Sequence, residues 1–242
     1  MHNKLVVLLP SPCTGRGWGR GCGLTIEIKK LTLGAVATNC YLVGDTETKE
    51  ALVIDPVDDA PLIKSTAQRF GWTIKLILAT HGHFDHVLAS KELKEITGAP
   101  FYIHEADLPL LEALPQQGVL FFGTTFPEAA KPDRLLTSEP ETIELSAIRL
   151  ETIFTPGHAP GHISFYLRDH NLVFSGDCLF AGSIGRTDLP GADYDLLMKS
   201  IFEKLLPLGD DVYVLPGHME TTTIGRERAT NPFLLAYANE QA

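Results

Sequence analysis

Four side chains that bind metal ions well fall within six consecutive positions of this 242-residue chain. They are His81, His83, Asp85 and His86, which form the pattern His-x-His-x-Asp-His. Neutral imidazole nitrogens and a carboxylate oxygen suit zinc, iron or manganese. Glycine at position 82 gives the backbone the freedom to turn several side chains onto one ion. The pattern therefore predicts a metal site rather than a solvated, histidine-rich loop.

Three more candidate ligands occur further along the chain, each shortly after an apolar run that is typical of a buried strand. They are His158 after 148–154, Asp177 after 171–174, and His218 after 211–215. The first cluster likewise follows the apolar run 75–79. In α/β proteins, ligands bind beyond the carboxyl ends of strands. Four such ends carrying His or Asp predict one shared cleft.

The order and local context of these seven residues resemble a known family. The chain is similar to metallo-β-lactamase-fold hydrolases, in particular to the glyoxalase II branch of hydroxyacylglutathione hydrolases and their short bacterial relatives. The match extends over residues 25–235. The resemblance implies an α/β fold, a four-layer αβ/βα sandwich in which two mixed β-sheets face each other and helices flank them.

The resemblance also implies a dinuclear metal site. On the family's pattern, His81, His83 and His158 would hold the first ion, Asp85, His86 and His218 the second, and Asp177 would bridge the two. Asp85 and Asp177 are then the expected catalytic carboxylates. Two divalent ions about 3.5–4 Å apart can share a hydroxide that attacks a carbonyl carbon. We expect zinc, with iron or manganese as alternatives.

Two other residues are candidates for supporting roles. Asp55 follows the apolar run 52–54 and matches a position where the family supports a metal-binding histidine; the alternative is a plain turn residue. Arg186 stands where glyoxalase II enzymes carry a basic residue for a substrate carboxylate, and the alternative is an ion pair with Asp188. We expect His162 to be a hydrogen-bonded structural histidine.

The resemblance implies a metal-dependent thioesterase that hydrolyses hydroxyacyl thioesters such as S-lactoylglutathione. A thiolate can leave without a strong general acid, and no separate acid stands out in the motifs. A persulfide dioxygenase with one non-haem iron and a nucleic-acid phosphodiesterase of the same superfamily remain alternatives. Only 24 residues follow His218, so we expect a short form without the C-terminal helical domain of full-length glyoxalase II enzymes.

Composition limits the partners. The chain has 30 acidic and 20 basic residues and a net charge of −10, whereas nucleic-acid binding usually needs a basic face. We expect a small-molecule thioester as partner, no nucleic acid and no membrane, and a monomer or small homo-oligomer. The four cysteines have no paired spacing and fit a reducing cytoplasm, and the apolar run 5–9 is too short for a signal peptide.

The pattern along the chain predicts one domain over 24–242, preceded by a disordered extension over 1–23. A three-strand meander is expected over 25–55. Helices are expected over 59–70, 87–97 and 194–205. Between 115 and 140 the pattern breaks into Pro, Gly and Phe, which indicates a long loop beside the cleft or pinned to the core.

Overall fold

The structure is a computed structural model that describes residues 5–8 and 25–241. In the first half of this part of the chain the strands are β1 Leu5–Leu8, β2 Ile26–Leu33, β3 Thr38–Asp45, β4 Glu50–Ile54, β5 Thr73–Leu78, β6 Phe101–His104 and β7 Arg134–Leu136. In the second half they are β8 Thr142–Leu145, β9 Ile148–Phe154, β10 Ile163–Leu167, β11 Leu172–Gly176, β12 Leu179–Phe180, β13 Ser183–Ile184, β14 Tyr213–Pro216 and β15 Thr222–Thr223.

The helices of the described residues lie mostly between strands. They are α1 Ala60–Arg69, α2 Phe84–Val87, α3 Ser90–Thr97, α4 Leu108–Glu112, α5 Leu114–Phe122, α6 Tyr194–Ser200, α7 Ile224–Thr230 and α8 Pro232–Glu240. A π-helical turn, Ile201–Leu205, extends α6. Among these helices, none has the length and apolar composition that crossing a membrane would require.

The strands form two large mixed sheets and a two-stranded ribbon of β12 and β13. The first sheet has the order β1-β2-β3-β4-β5-β6-β7; its pairs are antiparallel as far as β4 and parallel from β4 to β7. The second has the order β15-β14-β11-β10-β9-β8, in which only β11 and β14 pair in parallel.

The two sheets pack face to face, and strand β3 shows how the layers arise. Successive side chains of a strand point to opposite faces. Tyr41 and Val43 join the apolar core between the sheets, whereas Cys40 and Leu42 join a second core beneath α1 and α3. The Tyr41 ring meets Phe174 of the other sheet edge-on, with ring centroids 5.2 Å apart. A third core lies between the second sheet and α6 and α8. The four-layer sandwich expected from the sequence is confirmed.

Strand direction brings the four ligand-bearing ends together. Strands β11 and β14 are parallel, and β9 points the same way because both β9 and β11 are antiparallel to β10. In the first sheet, β5 runs parallel to β4. The predicted strands before the candidate ligands are all present, and the ligands follow β5, β9, β11 and β14.

A hairpin from the first sheet holds the last of these ends in place. The Asn39 side chain donates hydrogen bonds to the carbonyl oxygens of Pro216 and Met219 at 2.9 and 3.0 Å, and the Tyr41 hydroxyl also donates to Pro216 at 2.8 Å. The Asn39 amide in turn donates to the Gly217 carbonyl at 2.7 Å. The loop that carries His218 is therefore fixed to β3 across the two sheets.

Most of the expected elements are observed. The meander over 25–55 and the helices near 59–70 and 194–205 are confirmed, and the helix expected over 87–97 is α3 preceded by the short α2. The long loop over 115–140 was partly wrong, because α5 occupies its first residues. Pro115 in the first turn of α5 and Gly123 just after it are ordinary helix start and stop residues.

The segment expected to be disordered, residues 1–23, lies outside the described residues apart from β1. For these four residues the structure differs from the expectation, because Leu5–Leu8 pairs antiparallel with β2. The β-branched Val6 and Val7 favour a strand, and β2 offers an edge for pairing.

Glycine at position 44 provides a test of the first sheet. A Cβ atom built there would lie 2.3 Å from Cε2 of Trp72, which is buried against β3. Gly44→Ala should therefore lower the free energy of unfolding by about 1–3 kcal/mol, measured by denaturant titration. In a Trp72→Ala background the same change should cost little, because the collision is gone. Equal losses in both backgrounds would contradict this packing.

Candidate metal centre

The seven candidate ligands converge at the shared strand edge. Three groups of side chains each offer ligand atoms that all lie within 4.8 Å of one another: His81, His83 and His158; His81, His86 and Asp177; and Asp85, His86 and His218. The groups overlap through His81 and His86. Asp85 and His218 are half-buried and the other five are buried, so the cluster has one side open to the cleft.

Hydrogen bonds away from the cluster fix the orientation of three of the histidines. The Thr80 hydroxyl donates to Asp55 at 2.9 Å, so it accepts from Nδ1 of His81 at 3.0 Å. Nδ1 of His158 donates to the carbonyl oxygen of Arg186 at 2.8 Å. A neutral ring with a proton on Nδ1 has a lone pair on Nε2. The Nε2 lone pairs of these rings are therefore directed into the cluster.

Asp55 does the same for the third ring, His86. Its Oδ2 atom accepts from Nδ1 of His86 at 2.9 Å, and its Oδ1 atom accepts from the Thr80 amide at 2.7 Å. Asp55 adopts a left-handed backbone conformation, with φ of 57°, directly after β4. The structure thus places Asp55 where the sequence analysis expected it, behind a candidate ligand and outside the cluster.

The two carboxylates lie between the histidines. Asp177 Oδ1 is 3.3 Å from Nε2 of His86, while its Oδ2 is 3.5 Å from Nε2 of His158 and 3.3 Å from Nε2 of His218. Asp85 Oδ2 is 3.2 Å from Nε2 of His218. Asp177 therefore reaches histidines on both sides of the cluster, which is the position that a bridging ligand needs.

Three buried polar atoms of the cluster have no well-oriented hydrogen-bond partner among the residues that the structure describes. They are Nε2 of His81, Nε2 of His86 and Oδ1 of Asp177. A buried polar atom without a partner costs about 1–3 kcal/mol, and native structures rarely leave several of them side by side. Lone pairs on nitrogen and carboxylate oxygen are the donor set of zinc and iron sites. The residues present fit a dinuclear metal site.

Burial keeps two of the inner histidines, His81 and His83, neutral. It lowers the pKa of His81 well below the ordinary value of 6.5, and the nearby rings of His86 and His83 add to this effect. Burial also lowers the pKa of His83 to about 3, together with the neighbouring His158 ring. Neutral imidazole is the form that binds metals. These rings are ready to bind an ion at neutral pH without losing a proton.

The opposite holds at the open side. Burial disfavours a charged His218, but hydrogen bonds and charges from Asp177 and Asp85 outweigh it and raise the pKa of His218 to about 9. Burial likewise disfavours an ionised Asp85, yet His86 and His218 lower its pKa to about 2. Asp85 therefore carries a negative charge and His218 a proton when no metal is present.

The structure places His162 in a hydrogen-bonded position within the fold and Arg186 in an ion pair. Nε2 of His162 accepts from the Asp177 amide at 3.0 Å, and its Nδ1 bonds the Thr155 hydroxyl at 2.9 Å, so both nitrogens are engaged within the fold. Arg186 forms a two-pronged ion pair with Asp188, at 2.7 and 2.8 Å. The expected contact of Arg186 with a substrate carboxylate stays a prediction.

Asp107 is a site residue that sequence reasoning missed. Its buried carboxylate accepts from the Gly82 amide at 2.9 Å and from the Gly161 amide at 2.5 Å, and so joins the two loops that carry His81, His83 and His158. Burial raises the pKa of Asp107 to about 6, which still leaves it ionised at neutral pH. The available sequence signal was an acidic residue three positions after β6, which is the neighbour of β5 in the first sheet.

Glycine at position 217 is required by close approach. A Cβ atom there would lie 2.2 Å from Oδ1 of Asp177 and 2.7 Å from Cε1 of His86. The Gly217 amide donates to the carbonyl of Gly176 at 2.8 Å, which ties the turn before His218 to the turn before Asp177. The two strand ends can come this close only because both turns carry glycine.

A cleft of about 400 Å³ opens over the cluster. Its lining combines candidate ligands with apolar side chains: Val36, His83, Phe84, Asp85, Phe121, Phe122, His158, Asp177, Arg186, Leu189 and His218. This volume lies within the usual range of small-molecule sites. The candidate ligands are therefore accessible to a substrate from one side.

The chain belongs to the metallo-beta-lactamase superfamily, whose family model matches residues 33–218. It is 42% identical over 212 residues to the hydroxyacylglutathione hydrolase GloC of Haemophilus influenzae, which covers 87% of this chain and 98% of that protein. It is 29% identical over 225 residues to the human mitochondrial persulfide dioxygenase ETHE1, covering 91% of this chain and 80% of that one. The likeness to GloC extends over nearly the whole of that protein.

Solved structures give the same family. A B3 metallo-beta-lactamase, BLEG-1, aligns with a TM-score of 0.81 at 38% identity and covers 86% of this chain and 99% of its own. The protein TTHA1623, solved in a di-iron-bound form, aligns with a TM-score of 0.76 at 41% identity and covers 85% and 99%. A relative with two irons supports a dinuclear site in this fold and leaves the identity of the metal open.

The Asp107 contact can be tested by metal affinity. Asp107→Ala leaves the buried Gly82 and Gly161 amides without an acceptor and frees two ligand loops, so we expect zinc affinity to fall about 10–100-fold. The matched control is Asp45→Ala, which removes a buried carboxylate that accepts from three backbone amides away from the cluster. Both variants should lose stability, but only Asp107→Ala should lose metal affinity. An equal loss in both would contradict the assigned role.

Proton release is a second test. The pKa of His218 in the metal-free fold, about 9, exceeds the ordinary 6.5. Its contribution to stability is therefore fully present below pH 6.5 and is lost as the pH rises through 9. Metal binding needs the neutral ring, so zinc binding near neutral pH should release a proton that the His218→Gln variant does not release. Calorimetry in buffers of different ionisation enthalpy measures the number of protons released on zinc binding. Zinc binding by the parent protein without proton release would contradict the assignment.

Proposed function

We propose that this protein is a dinuclear metal-dependent hydrolase of hydroxyacyl thioesters. The observation that carries the proposal is the position of Asp177, whose two carboxylate oxygens lie close to histidines on both sides of the cluster. The similarity to a hydroxyacylglutathione hydrolase supports this substrate class. The cleft over the cluster is large enough for the acyl group and the thioester bond.

The residues that would hold the two ions are those that the sequence analysis named, with His81, His83 and His158 on one side, Asp85, His86 and His218 on the other, and Asp177 between them. When bound, two divalent ions supply Lewis acidity that lowers the pKa of water and polarises a carbonyl group. We propose zinc, with iron as the alternative because a similar protein binds two irons.

The protein's own groups prepare the site for this chemistry. Thr38 donates to Asp85 Oδ2 at 2.7 Å and orients this carboxylate, which the neighbouring histidines keep ionised. His162 holds the Asp177 backbone through the amide hydrogen bond. In thioester hydrolysis, water supplies the new oxygen of the acid, and the C–S bond breaks. The sulfur leaves as a thiolate with the bonding electron pair, so no strong acid is needed in the cleft, and the released thiolate takes up one proton of the water.

A persulfide dioxygenase activity is the second candidate, because one relative of this chain has that name. The grouping of Asp85, His86 and His218 favours the hydrolase, since a reaction at one iron has no use for a second set of ligands.

The experiment is S-lactoylglutathione hydrolysis by protein whose metal content is measured in the same preparation, with oxygen uptake on glutathione persulfide alongside. We expect thioester turnover to rise with the second equivalent of metal. Asp177→Asn should lower metal content and reduce turnover at least about 100-fold, because the negative charge of the bridging side chain is lost. The exposed Asp211→Asn is the control and should change neither. Oxygen uptake with one iron and no thioester turnover would contradict the proposal.

A further inference from the structure

One side of the cleft is apolar and open to solvent. We call it the apolar wall, and it consists of Val36, Phe84, Phe121, Phe122 and Leu189. Val36 is 44% exposed, Phe121 44% and Phe122 43%, which is unusual for large apolar side chains clustered together. Exposed apolar patches of this kind mark binding surfaces more often than chance placement.

The apolar wall is anchored to the metal-ligand loop. Phe84 stands between His83 and Asp85 in the sequence, and its ring centroid lies 5.5 Å from that of Phe121 and 5.3 Å from that of Phe122. The Phe84 amide donates to the Gln117 side chain at 2.8 Å, which fixes α5 to the same loop. The wall therefore has a set distance from the reacting centre and does not depend on a mobile loop.

The apolar surface continues beyond Phe84 and Phe122. A second cavity of about 230 Å³ shares Phe84, Asp85 and Phe122 with the cleft, and its lining adds the apolar side chains of Val57, Leu88 and Phe126. A chain of several carbon atoms that starts at the metal cluster and follows the wall would reach this cavity.

The cleft offers little to a charged group. Among the described residues that line it, Arg186 is the only arginine or lysine, and Asp188 already neutralises it with a two-pronged ion pair. The thiol portion of a glutathione conjugate carries carboxylates and an ammonium group, for which the apolar wall has no partner. The acyl chain is the part of a thioester that such a wall stabilises.

We propose that the apolar wall is an acyl-chain subsite, so that the preferred substrates are 2-hydroxyacyl thioesters with an aliphatic or aryl substituent larger than the methyl group of lactate. This inference rests on the proposed function and narrows its substrate class. Phe121 and Phe122 are its specificity-determining residues, because they combine exposure to the cleft with contact to Phe84.

The first experiment compares kcat/KM for S-lactoyl-, S-2-hydroxyhexanoyl- and S-mandeloylglutathione with the zinc-loaded protein. We expect a rise of about two- to fourfold for each methylene that the wall covers. Phe121→Ala should flatten this series through KM. Leu120→Ala is the matched control, because Leu120 lies on the same helix, is 72% exposed and does not line the cleft. An equal response of both variants would overturn the proposal.

The second experiment measures binding alone, with thioethers that cannot be hydrolysed. Calorimetry should show that S-hexylglutathione binds more tightly than S-methylglutathione, and that Phe121→Ala abolishes the difference. If no thioester is hydrolysed by protein with two metals, the proposed function fails. If the lactoyl thioester is hydrolysed but a longer acyl or alkyl chain improves neither kcat/KM nor affinity, the function stands and the acyl-chain subsite is refuted.

Discussion

Uncompensated polar atoms buried where four strand ends meet are the constraint on which the rest of this structure depends. Nε2 of His81, Nε2 of His86 and Oδ1 of Asp177 are buried without a well-oriented hydrogen-bond partner among the described residues. Such atoms destabilise a fold unless something binds them. Their grouping is tolerable because the Nδ1 atoms of the histidine rings donate outward, to Thr80, Asp55 and the Arg186 carbonyl, which fixes each ring with Nε2 directed inward. The fold therefore holds a preorganised set of nitrogen and oxygen lone pairs, which suits metal ions.

The surrounding architecture maintains that arrangement from several directions. The β2–β3 hairpin holds the His218 loop through Asn39 and Tyr41, and Asp107 joins the loops that carry the other histidines. Both contacts cross between segments far apart in the chain. The metal centre is therefore a product of the packing of two sheets, and loss of either contact would loosen ligands that are not themselves altered.

Much of the metal-ligand cluster could be predicted from the sequence, because candidate ligands that directly follow apolar runs are expected to lie at strand ends. The spacing of residues 81–86 and the contexts of His158, Asp177 and His218 predicted the cluster, and the family resemblance that these residues carry implied the fold class. The position of Asp107 just after β6 marked it as a candidate, but its role could not be predicted, since it depends on two backbone amides of other loops. The helix α5 was missed because Pro and Gly were taken as loop residues, whereas Pro115 lies in the first turn of this helix and Gly123 directly follows it.

Shared metal chemistry and individual specificity occupy different parts of the molecule. The superfamily match spans the ligand cluster, and fold alone does not define a substrate. The most direct test of the account is a crystal structure of the zinc-loaded protein with anomalous difference maps. Two zinc peaks about 3.5–4 Å apart, both in contact with Asp177, are expected. A single peak on His81, His83 and His158, with Asp85 and His218 uncoordinated in protein that hydrolyses thioesters, would contradict it.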